Sequence, residues 1–362
     1  MLLRGKGVVV GLSGGVDSAV AAARLVEAGA RVAAVTLVTA DASDCVGGVE
    51  TGCCTRAEAD SALAVAERLG VRHYRYDERD RFRAEIFAES VRTASRGGTP
   101  SVCPLCNARH KLRVLYEKAR VLGLEHVATG HYARLEKRLG RTRLLRGAVR
   151  ERDQSYFLYA LPLELRDILI LPLGEEDKAT VRAEALRRGL DVHDKPASQD
   201  LCPALARGLE QELKKAAPQM TRPGPILDHH GRERGTHQGL FRYTIGQRRG
   251  LGLGGGTGEP LYVIGKDFAN RALLVGPEDR LWSREMTVEL EGPVADPLPT
   301  GLSCQPRRNH PGAPVEITWR EGDTVGVRFL APQRALTPGQ AAVFYLGEEV
   351  VAGGTIRPPR QR

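Results

Sequence analysis

Short apolar runs alternate with helical patterns through the first third of the chain. The runs cover residues 7–12, 31–38, 71–76 and 125–129, and each has the length of a buried strand. Residues 17–28, 56–69, 79–94 and 107–122 carry Ala-rich or amphipathic helical patterns, several of which end at a glycine. Repeated units of this kind predict a doubly wound parallel α/β sheet, whose ligands bind at the carboxyl ends of its strands.

The strand–helix alternation ends near residue 203. Residues 218–258 are rich in Gly, Arg and His, and β-like runs follow with regular spacing between turn residues. These runs predict a small antiparallel barrel or sandwich; they cover residues 261–264, 272–275, 286–290, 315–318, 325–329, 341–345 and 349–352. Because 362 residues exceed a typical single domain, we expect domains over residues 1–205, 206–280 and 281–362.

The most informative stretch is the Ser-Gly-Gly-Val-Asp-Ser loop at residues 13–18, between the first predicted strand and the first helix. Its glycines let the backbone approach an anion, and the hydroxyls of Ser13 and Ser18 point to the same place as the first helical N–H groups. The loop lacks the Gly-Lys-Ser/Thr ending of a P-loop kinase, so it suits pyrophosphate as a leaving group. Asp17 beside a phosphate site requires a cation, and it is a candidate Mg²⁺ ligand.

Cysteine placement adds a second chemistry. Cys103 and Cys106 stand immediately before a predicted helix, where a thiolate is stabilised, and their C-x-x-C spacing suits either catalysis or metal binding. Cys202 is solitary in a polar loop. The remaining cysteines receive no functional role, and the count of seven argues against a disulfide framework; they are Cys45, Cys53, Cys54 and Cys304.

Charge and composition limit the class of protein. The formal net charge is +9, with 53 Lys plus Arg against 44 Asp plus Glu, which favours a polyanionic partner. A hydrophobic content of 42% is ordinary for a globular protein. The short, Gly-broken N-terminal apolar run predicts neither a signal peptide nor a membrane span, so we expect a cytoplasmic protein without a membrane partner.

Taken together, the motifs resemble the tRNA-specific 2-thiouridylase family of the PP-loop ATP pyrophosphatase superfamily. They cover nearly the full chain in order and comprise SGGVDS, CPLCN at 103–107, ATGHYAR at 128–134, RDQSYFL at 152–158, SQDLC at 198–202, YTIGQRRGLG at 243–252 and PQRALTPGQAAVFY at 332–345. The resemblance implies a PP-loop ATP-binding domain, a small central tRNA-binding domain and a C-terminal antiparallel β-barrel.

The resemblance also implies an activity and its residues. Such enzymes adenylate O2 of the wobble uridine in tRNA, release pyrophosphate and let sulfur replace the AMP-linked oxygen. Cys106 and Cys202 match the two catalytic cysteines, and Asp17 belongs to the same site. ATP would be held by Gly11, Leu12, Ser13, Gly14, Gly15, Val16, Asp17 and Ser18, with Leu37 and Gly130 contacting the adenosine. The implied tRNA contacts are Ser101, Val102, Cys103, His131, Arg152, Asp153, Gln154, Arg307, Arg308 and Gln340.

Two positions depart from the family pattern. Cys103 stands where many members have Asp, and Arg307-Arg308 replaces an expected Arg-Tyr pair. Cys103, Cys106 and Cys202 could hold a [4Fe–4S] cluster with one open iron, or Cys106 and Cys202 could relay a persulfide without a metal. The expected cofactors are therefore ATP, Mg²⁺ and, on the first alternative, the cluster. The expected partners are the anticodon stem-loop of tRNA and a sulfur-donor protein that carries a persulfide.

Two other functions fit parts of this pattern. A PP-loop ligase or amidotransferase would also adenylate an oxygen, but it would not need Cys106 and Cys202. A tRNA-binding protein without catalytic activity would keep the basic charge and the β-rich tail, and it could lose residues 13–18.

Overall fold

The computed structural model describes residues 3–40, 56–195, 203–253 and 259–358. The chain is divided into two compact units. Unit 1 contains Met1–Phe87, Val102–Arg207 and Glu348–Val351; unit 2 contains Ala88–Ser101, Gly208–Gly347 and Ala352–Arg362. Among the described residues, no helix combines the length and apolar character that crossing a membrane demands.

The helices follow the predicted positions in the first half of the chain. The α-helices are α1 Val16–Glu27, α2 Arg56–Arg68, α3 Arg79–Phe82, α4 Ala88–Ser95, α5 Val102–Leu105, α6 Leu112–Val121, α7 Leu163–Ile168, α8 Lys178–Arg187 and α9 Pro203–Ala216. Two π-helical segments, Arg83–Phe87 and Cys106–Lys111, join α3 to α4 and α5 to α6.

The strands fall into three groups. They are β1 Gly7–Gly11, β2 Arg31–Val38, β3 Arg72–Asp77, β4 His126–Ala128, β5 Ala133–Arg138, β6 Arg141–Arg146, β7 Leu169–Ile170, β8 Gly224–Asp228, β9 Glu233–His237, β10 Tyr262–Asp267, β11 Ala272–Gly276, β12 Trp282–Leu290, β13 Ser303–Gln305, β14 Ala313–Glu321, β15 Thr324–Arg334, β16 Ala341–Leu346 and β17 Glu349–Arg357.

Unit 1 is built on a five-stranded parallel sheet in the order β3-β2-β1-β4-β7. Its central strand β1 carries Val8, Val9 and Val10, which are fully buried, and burial of each contributes about 1.5–3 kcal/mol. The strand order reverses direction between β1 and β4, which is where such folds bind their ligands. The predicted doubly wound parallel sheet is confirmed.

The helix that carries the cysteines begins earlier than predicted. The sequence places its start at Asn107, whereas α5 begins at Val102 and continues through the π-helical segment into α6. Pro104 concealed this start, although proline is tolerated in a first helical turn because the N–H that it lacks would have no helical partner there. Cys103 and Cys106 therefore lie within the first turns of the helix instead of before it.

Unit 2 contains a four-stranded mixed sheet that the sequence did not predict in full. Its order is β10-β11-β8-β9, with β8 parallel to β11 and the other pairs antiparallel. Strand β8 has only two adjacent apolar residues, Ile226 and Leu227, and β9 is polar, so the stretch after residue 218 shows no apolar run long enough to predict them. Ile226, Val263 and Val275 are fully buried in the core of this sheet, together with Met220.

The C-terminal strands form a barrel rather than a sandwich. The order β12-β15-β14-β13-β16-β17 closes through a pairing of β12 with β17, and the β5–β6 hairpin extends the same sheet from β17. The predicted antiparallel barrel is confirmed. The first residues of β17 belong to unit 1, where Glu349 pairs with Leu145 of the β5–β6 hairpin.

Candidate functional site

The loop between β1 and α1 has the backbone geometry of an anion site. Gly14 has φ +73°, and a Cβ there would lie 2.2 Å from the Glu58 backbone oxygen, so only glycine fits. The Ser18 hydroxyl accepts from Ser13 N at 3.1 Å and donates to Gly15 O at 3.0 Å. Gly15 is the N-cap of α1 and has no side chain to occupy the first amide groups, which are left to face an anion.

The end of β4 lies directly against the start of α1. A Cβ on Gly130 would be 2.6 Å from the carbonyl carbon of Asp17 and 2.8 Å from Ser18 N. This close approach brings two predicted elements of the site together, the glycine loop and the Thr129–Gly130 turn. Leu37 is nearly buried in β2, the neighbour of β1 on its other side.

The cation beside Asp17 in the structure is a lysine, which the sequence pattern did not predict. Lys178 Nζ lies 2.6 Å from each carboxylate oxygen of Asp17, and its side chain is only 10% exposed. The Tyr132 hydroxyl also donates to Asp17 Oδ1 at 2.6 Å. A sequence signal for Lys178 existed: it is the first residue of α8, after the N-cap Asp177, where a positive charge opposes the helix dipole.

Two groups near the loop have pKa values shifted by burial. Burial, followed by the charge of Asp17, raises the pKa of Tyr132, so the phenol stays protonated and donates. Burial, followed by the charge of Lys111, lowers the pKa of His131 to about 4, so this imidazole is neutral at about pH 7. Its Nδ1 shares a hydrogen bond of 2.8 Å with Thr129 Oγ1.

The cysteine helix presents two thiols one turn apart. Cys103 is partly exposed, whereas Cys106 is buried and is the first residue of a π-helical segment. Asn107 Nδ2 donates to Phe157 O at 3.3 Å, which ties this segment to the 3₁₀ turn Ser155–Leu158. Ser101 and Val102 precede the cysteines and are partly exposed.

Cys202, the second predicted catalytic residue, lies outside the described residues, as do Cys45, Cys53 and Cys54. Cys304 is buried in β13, and burial raises the pKa of its thiol well above the ordinary value. Within the part of the chain that the structure describes, no group of three His, Cys, Asp or Glu side chains is arranged to hold a metal ion.

The Asp153 side chain, predicted to contact tRNA, is a buried structural node. It is 5% exposed and pairs with Arg146 at 2.9 Å, and it accepts from Gly147 N and from the backbone and hydroxyl of Ser155. Gln154 Oε1 accepts from Tyr132 N at 2.9 Å, so it supports the loop after β4.

Arg152 is exposed beside this node. The other predicted tRNA contacts lie in the barrel of unit 2: Arg307 Nη1 donates to Arg334 O at 2.7 Å, Arg308 is exposed and Gln340 is partly buried.

The glycine loop at the end of β1, its contact with Gly130 and the β3-β2-β1-β4-β7 order define a PP-loop ATP-binding fold. Three family models match the chain in order. They are described as a tRNA methyl transferase HUP domain at residues 6–204, a tRNA methyl transferase PRC-barrel domain at 210–277 and an aminomethyltransferase beta-barrel domain at 288–356.

Curated relatives identify the family within this class. The chain is 42% identical to a tRNA-specific 2-thiouridylase MnmA from Roseiflexus sp. (strain RS-1), over 96% of this chain and 98% of the relative. It is 40% identical to the protein of that name from Sorangium cellulosum (strain So ce56), over 98% and 92%. The chain belongs to the tRNA-specific 2-thiouridylase family.

Proposed function

We propose that this protein is an ATP-dependent tRNA sulfurtransferase that converts the wobble uridine to 2-thiouridine. The observation that carries the proposal is the Asp17–Lys178 pair at the glycine loop, on the same unit as the cysteine helix. The glycine loop suits the binding and cleavage of ATP, and the cysteine helix suits the delivery of sulfur. A tRNA thiolase needs both.

The loop residues Gly11 to Ser18 hold the phosphates, and the backbones at Leu37 and Gly130 contact the adenosine. Lys178 supplies positive charge to the phosphates, and Asp17 holds it in place. Because Lys178 and Tyr132 already engage the Asp17 carboxylate, Asp17 does not fit as a Mg²⁺ ligand in this arrangement. The expected Mg²⁺ would accompany the triphosphate.

The chemistry has two displacements. In the first, uridine O2 attacks the α-phosphorus, a new P–O bond forms and the bond to the β-phosphate oxygen breaks, so pyrophosphate leaves. Backbone amides and Lys178 stabilise the charge that develops. In the second, sulfur attacks C2 and the C–O bond breaks, so AMP leaves. On the persulfide alternative, a separate donor protein transfers its outer sulfur to one of the two cysteines, Cys106 or Cys202, and this persulfide sulfur attacks C2. The thiolate of the other cysteine then attacks the inner sulfur, so the S–S bond to the transferred sulfur breaks and a Cys106–Cys202 disulfide forms, which supplies the two electrons. An external thiol reduces this disulfide before the next turnover.

The sulfur carrier has two candidate forms. Cys103 and Cys106 have the C-x-x-C spacing found among iron–sulfur ligands, and both lie in one helix, which favours a [4Fe–4S] cluster completed by Cys202. The other form is a persulfide relay on Cys106 and Cys202. Anaerobic purification with iron and sulfide assays separates them, because a colourless, iron-free protein that still thiolates tRNA would rule out the cluster.

The tRNA is the polyanion that the +9 charge favours. The wobble base must leave its stack to reach the loop, and enzymes that modify a base pay for this with contacts elsewhere on the RNA. We assign these contacts to the sequence-predicted set, with the exposed Arg152 and Arg308 as its strongest members and Asp153 as a support for Arg152. The set also contains Ser101, Val102, Cys103, His131, Gln154, Arg307 and Gln340.

The deciding experiment is ATP-dependent incorporation of labelled sulfur into tRNA by the wild-type protein, Cys202→Ser and Asp17→Ala. We expect Cys202→Ser to release pyrophosphate without thiolating tRNA, and Asp17→Ala to do neither. Full activity in both variants would show that the site assignment is wrong. Incorporation of labelled ammonia instead of sulfur would identify an amidotransferase, and tRNA binding without pyrophosphate release would identify a protein without catalytic activity.

A further inference from the structure

Two π-helical segments of unit 1 contact each other beside Cys106. One is Arg83–Phe87, which contains Glu85, and the other is Cys106–Lys111, which contains His110. A π-helical turn holds one more residue than an α-helical turn, is rare, and occurs frequently at functional sites. Cys106 is the first residue of the second segment, so the position of its side chain depends on how this turn is held.

His110 is fully buried between these segments. Its ring packs edge-on against Phe82, with centroids 5.7 Å apart and an interplanar angle of 81°. Its Nδ1 lies 3.6 Å from Glu85 Oε2, which is longer than a hydrogen bond. Among the described residues, neither ring nitrogen nor this carboxylate oxygen has a hydrogen-bond partner. Nδ1 and the Glu85 oxygen thus face each other, and Nε2 is buried as well, without the bonds that ordinarily offset the burial of such atoms.

The other contacts of Glu85 do not explain why these polar atoms are buried without hydrogen bonds. Its other oxygen, Oε1, accepts from Arg81 Nε at 2.9 Å. The Arg81 guanidinium also donates to both carboxylate oxygens of Glu117 on α6, at 2.6 and 3.1 Å. The Arg81–Glu117 ion pair already joins α3 to α6, so His110 is not required to hold these two helices together. An apolar side chain in its place would pack without a desolvation cost.

Burial lowers the pKa of His110, and the nearby positive charges of Arg81 and Lys111 act in the same direction, while Glu85 opposes them. The imidazole is therefore neutral at about pH 7. A neutral ring held at this distance from a carboxylate restrains the turn by its shape and by a weak electrostatic attraction.

We propose that His110 is a positioning residue that acts through Glu85 to hold the π-helical turn on which Cys106 is presented for sulfur transfer. The part that concerns sulfur transfer rests on the proposed function. When the pair is broken, the Glu85 carboxylate moves toward solvent and the turn loosens. Cys106 then becomes more accessible to small reagents and less well placed for the activated uridine, whereas the glycine loop and pyrophosphate release are unaffected.

The test uses His110→Phe, which keeps the contact with Phe82 and removes the ring nitrogens, and Glu85→Gln, which keeps the size and removes the charge. Glu117→Gln is the matched control, because it weakens the outer bridge to Arg81 and leaves the His110–Glu85 pair intact. The first readout is the rate at which methyl methanethiosulfonate modifies Cys106 in the full chain, resolved by peptide mass spectrometry. The second is the ratio of tRNA thiolation to pyrophosphate release.

We expect His110→Phe and Glu85→Gln to speed Cys106 modification by about five-fold and to lower the thiolation ratio by about ten-fold, with Glu117→Gln near wild type. A Cys106 modification rate that falls, or that stays within about two-fold of wild type in the folded variants, overturns the proposal. If the single variants do not fold, the double variant His110→Phe/Glu85→Leu is expected to fold, because it leaves no buried polar atom of the pair without a partner; the same limits apply to it.

Failure of the proposed function is distinguishable from failure of this inference. A wild-type protein that does not thiolate tRNA would contradict the proposed function. The modification rate of Cys106 would still report whether His110 and Glu85 hold its turn, because that reaction requires neither ATP nor tRNA.

Discussion

Lys178 Nζ is equidistant from the two carboxylate oxygens of Asp17, at 2.6 Å, although 161 residues separate them in sequence. The pair joins the first turn of α1 to the first turn of α8, and both helices therefore direct their N-termini to the same place. The result is a lysine beside the glycine loop that enters from a distant helix, whereas a P-loop kinase has a lysine within the loop itself.

Replacing Lys178 by Met should abolish most ATP chemistry. The loss of a preorganised charge at the phosphates costs on the order of 100-fold or more in rate. Pyrophosphate release in the presence of tRNA is the measurement, and Lys118→Met is the control, since Lys118 also contacts an acidic side chain in unit 1, Glu78 at 3.6 Å. A Lys178→Met rate within about three-fold of wild type would contradict the role given to this lysine.

Alanine substitutions at Gly14 and Gly15 should have different effects, the first on stability and the second on ATP affinity. Gly14→Ala places a Cβ against the Glu58 backbone at φ +73° and should destabilise the fold by about 1–3 kcal/mol. Gly15→Ala meets only Ser13 Oγ at 3.6 Å, at an ordinary φ of −96°, so its thermal unfolding should match wild type. Its added methyl group would instead obstruct the phosphates and lower ATP affinity by about ten-fold.

Thermal unfolding with and without ATP measures both glycine effects, because a bound ligand raises the transition temperature. Gly15→Ala protein that ATP stabilises as strongly as wild type would show that the loop does not hold the phosphates.

Substitutions at Arg152 and Asp153 should have separate effects, the first on tRNA binding and the second on the stability of the fold. Asp153→Ala leaves the buried Arg146 guanidinium without its carboxylate and should cost about 3–5 kcal/mol in the free energy of unfolding. Arg152→Ala changes an exposed side chain and should leave stability unaltered while weakening tRNA binding, with a reduced salt dependence. Urea unfolding and tRNA filter binding provide the measurements. Equal tRNA affinity for Arg152→Ala and wild type would remove Arg152 from the interface.

Protonation of His131 should lower the free energy of unfolding in mild acid. Its pKa is about 4 in the folded chain and about 6.5 when unfolded, so the unfolded state binds more protons between these values. This contribution to stability is present above pH of about 6.5 and is lost as the pH falls toward about 4. A His131→Gln protein should therefore lose less stability than wild type over that interval in denaturant titrations. Parallel curves would contradict the lowered pKa.

The elements that could be predicted from the sequence are those formed by residues close together in the chain. The first strand, the glycine loop and α1 are contiguous, and the apolar run of β2 coincides with the observed Arg31–Val38. Lys178 and Tyr132 were missed because their role arises only when distant segments meet at Asp17. The family resemblance implies a tRNA contact for Asp153, and the sequence gives no sign that its side chain is also buried against Arg146 on β6.

The helix that carries Cys103 and Cys106 could not be predicted accurately for a different reason. Pro104 suggests a turn, which places the predicted helix start five residues late, and no apolar spacing distinguishes a π-helical turn from an α-helical one. The burial of His110 is likewise absent from the sequence pattern, because a lone histidine among charged residues predicts an exposed position.

A ribosome that makes this chain releases β1 and the glycine loop long before it reaches Glu349. Yet Glu348–Val351 belong to unit 1, where Glu349 pairs with Leu145 and accepts a hydrogen bond of 2.7 Å from Arg143. Domains commonly fold as units during synthesis, N-terminal parts first. Unit 1 cannot follow that order to completion, since the whole of residues 208–347 must be translated before its last strand contacts form. Nascent chains that stop before Glu348 therefore lack the last strand contacts of unit 1, so this unit is completed only when nearly the whole chain has been made.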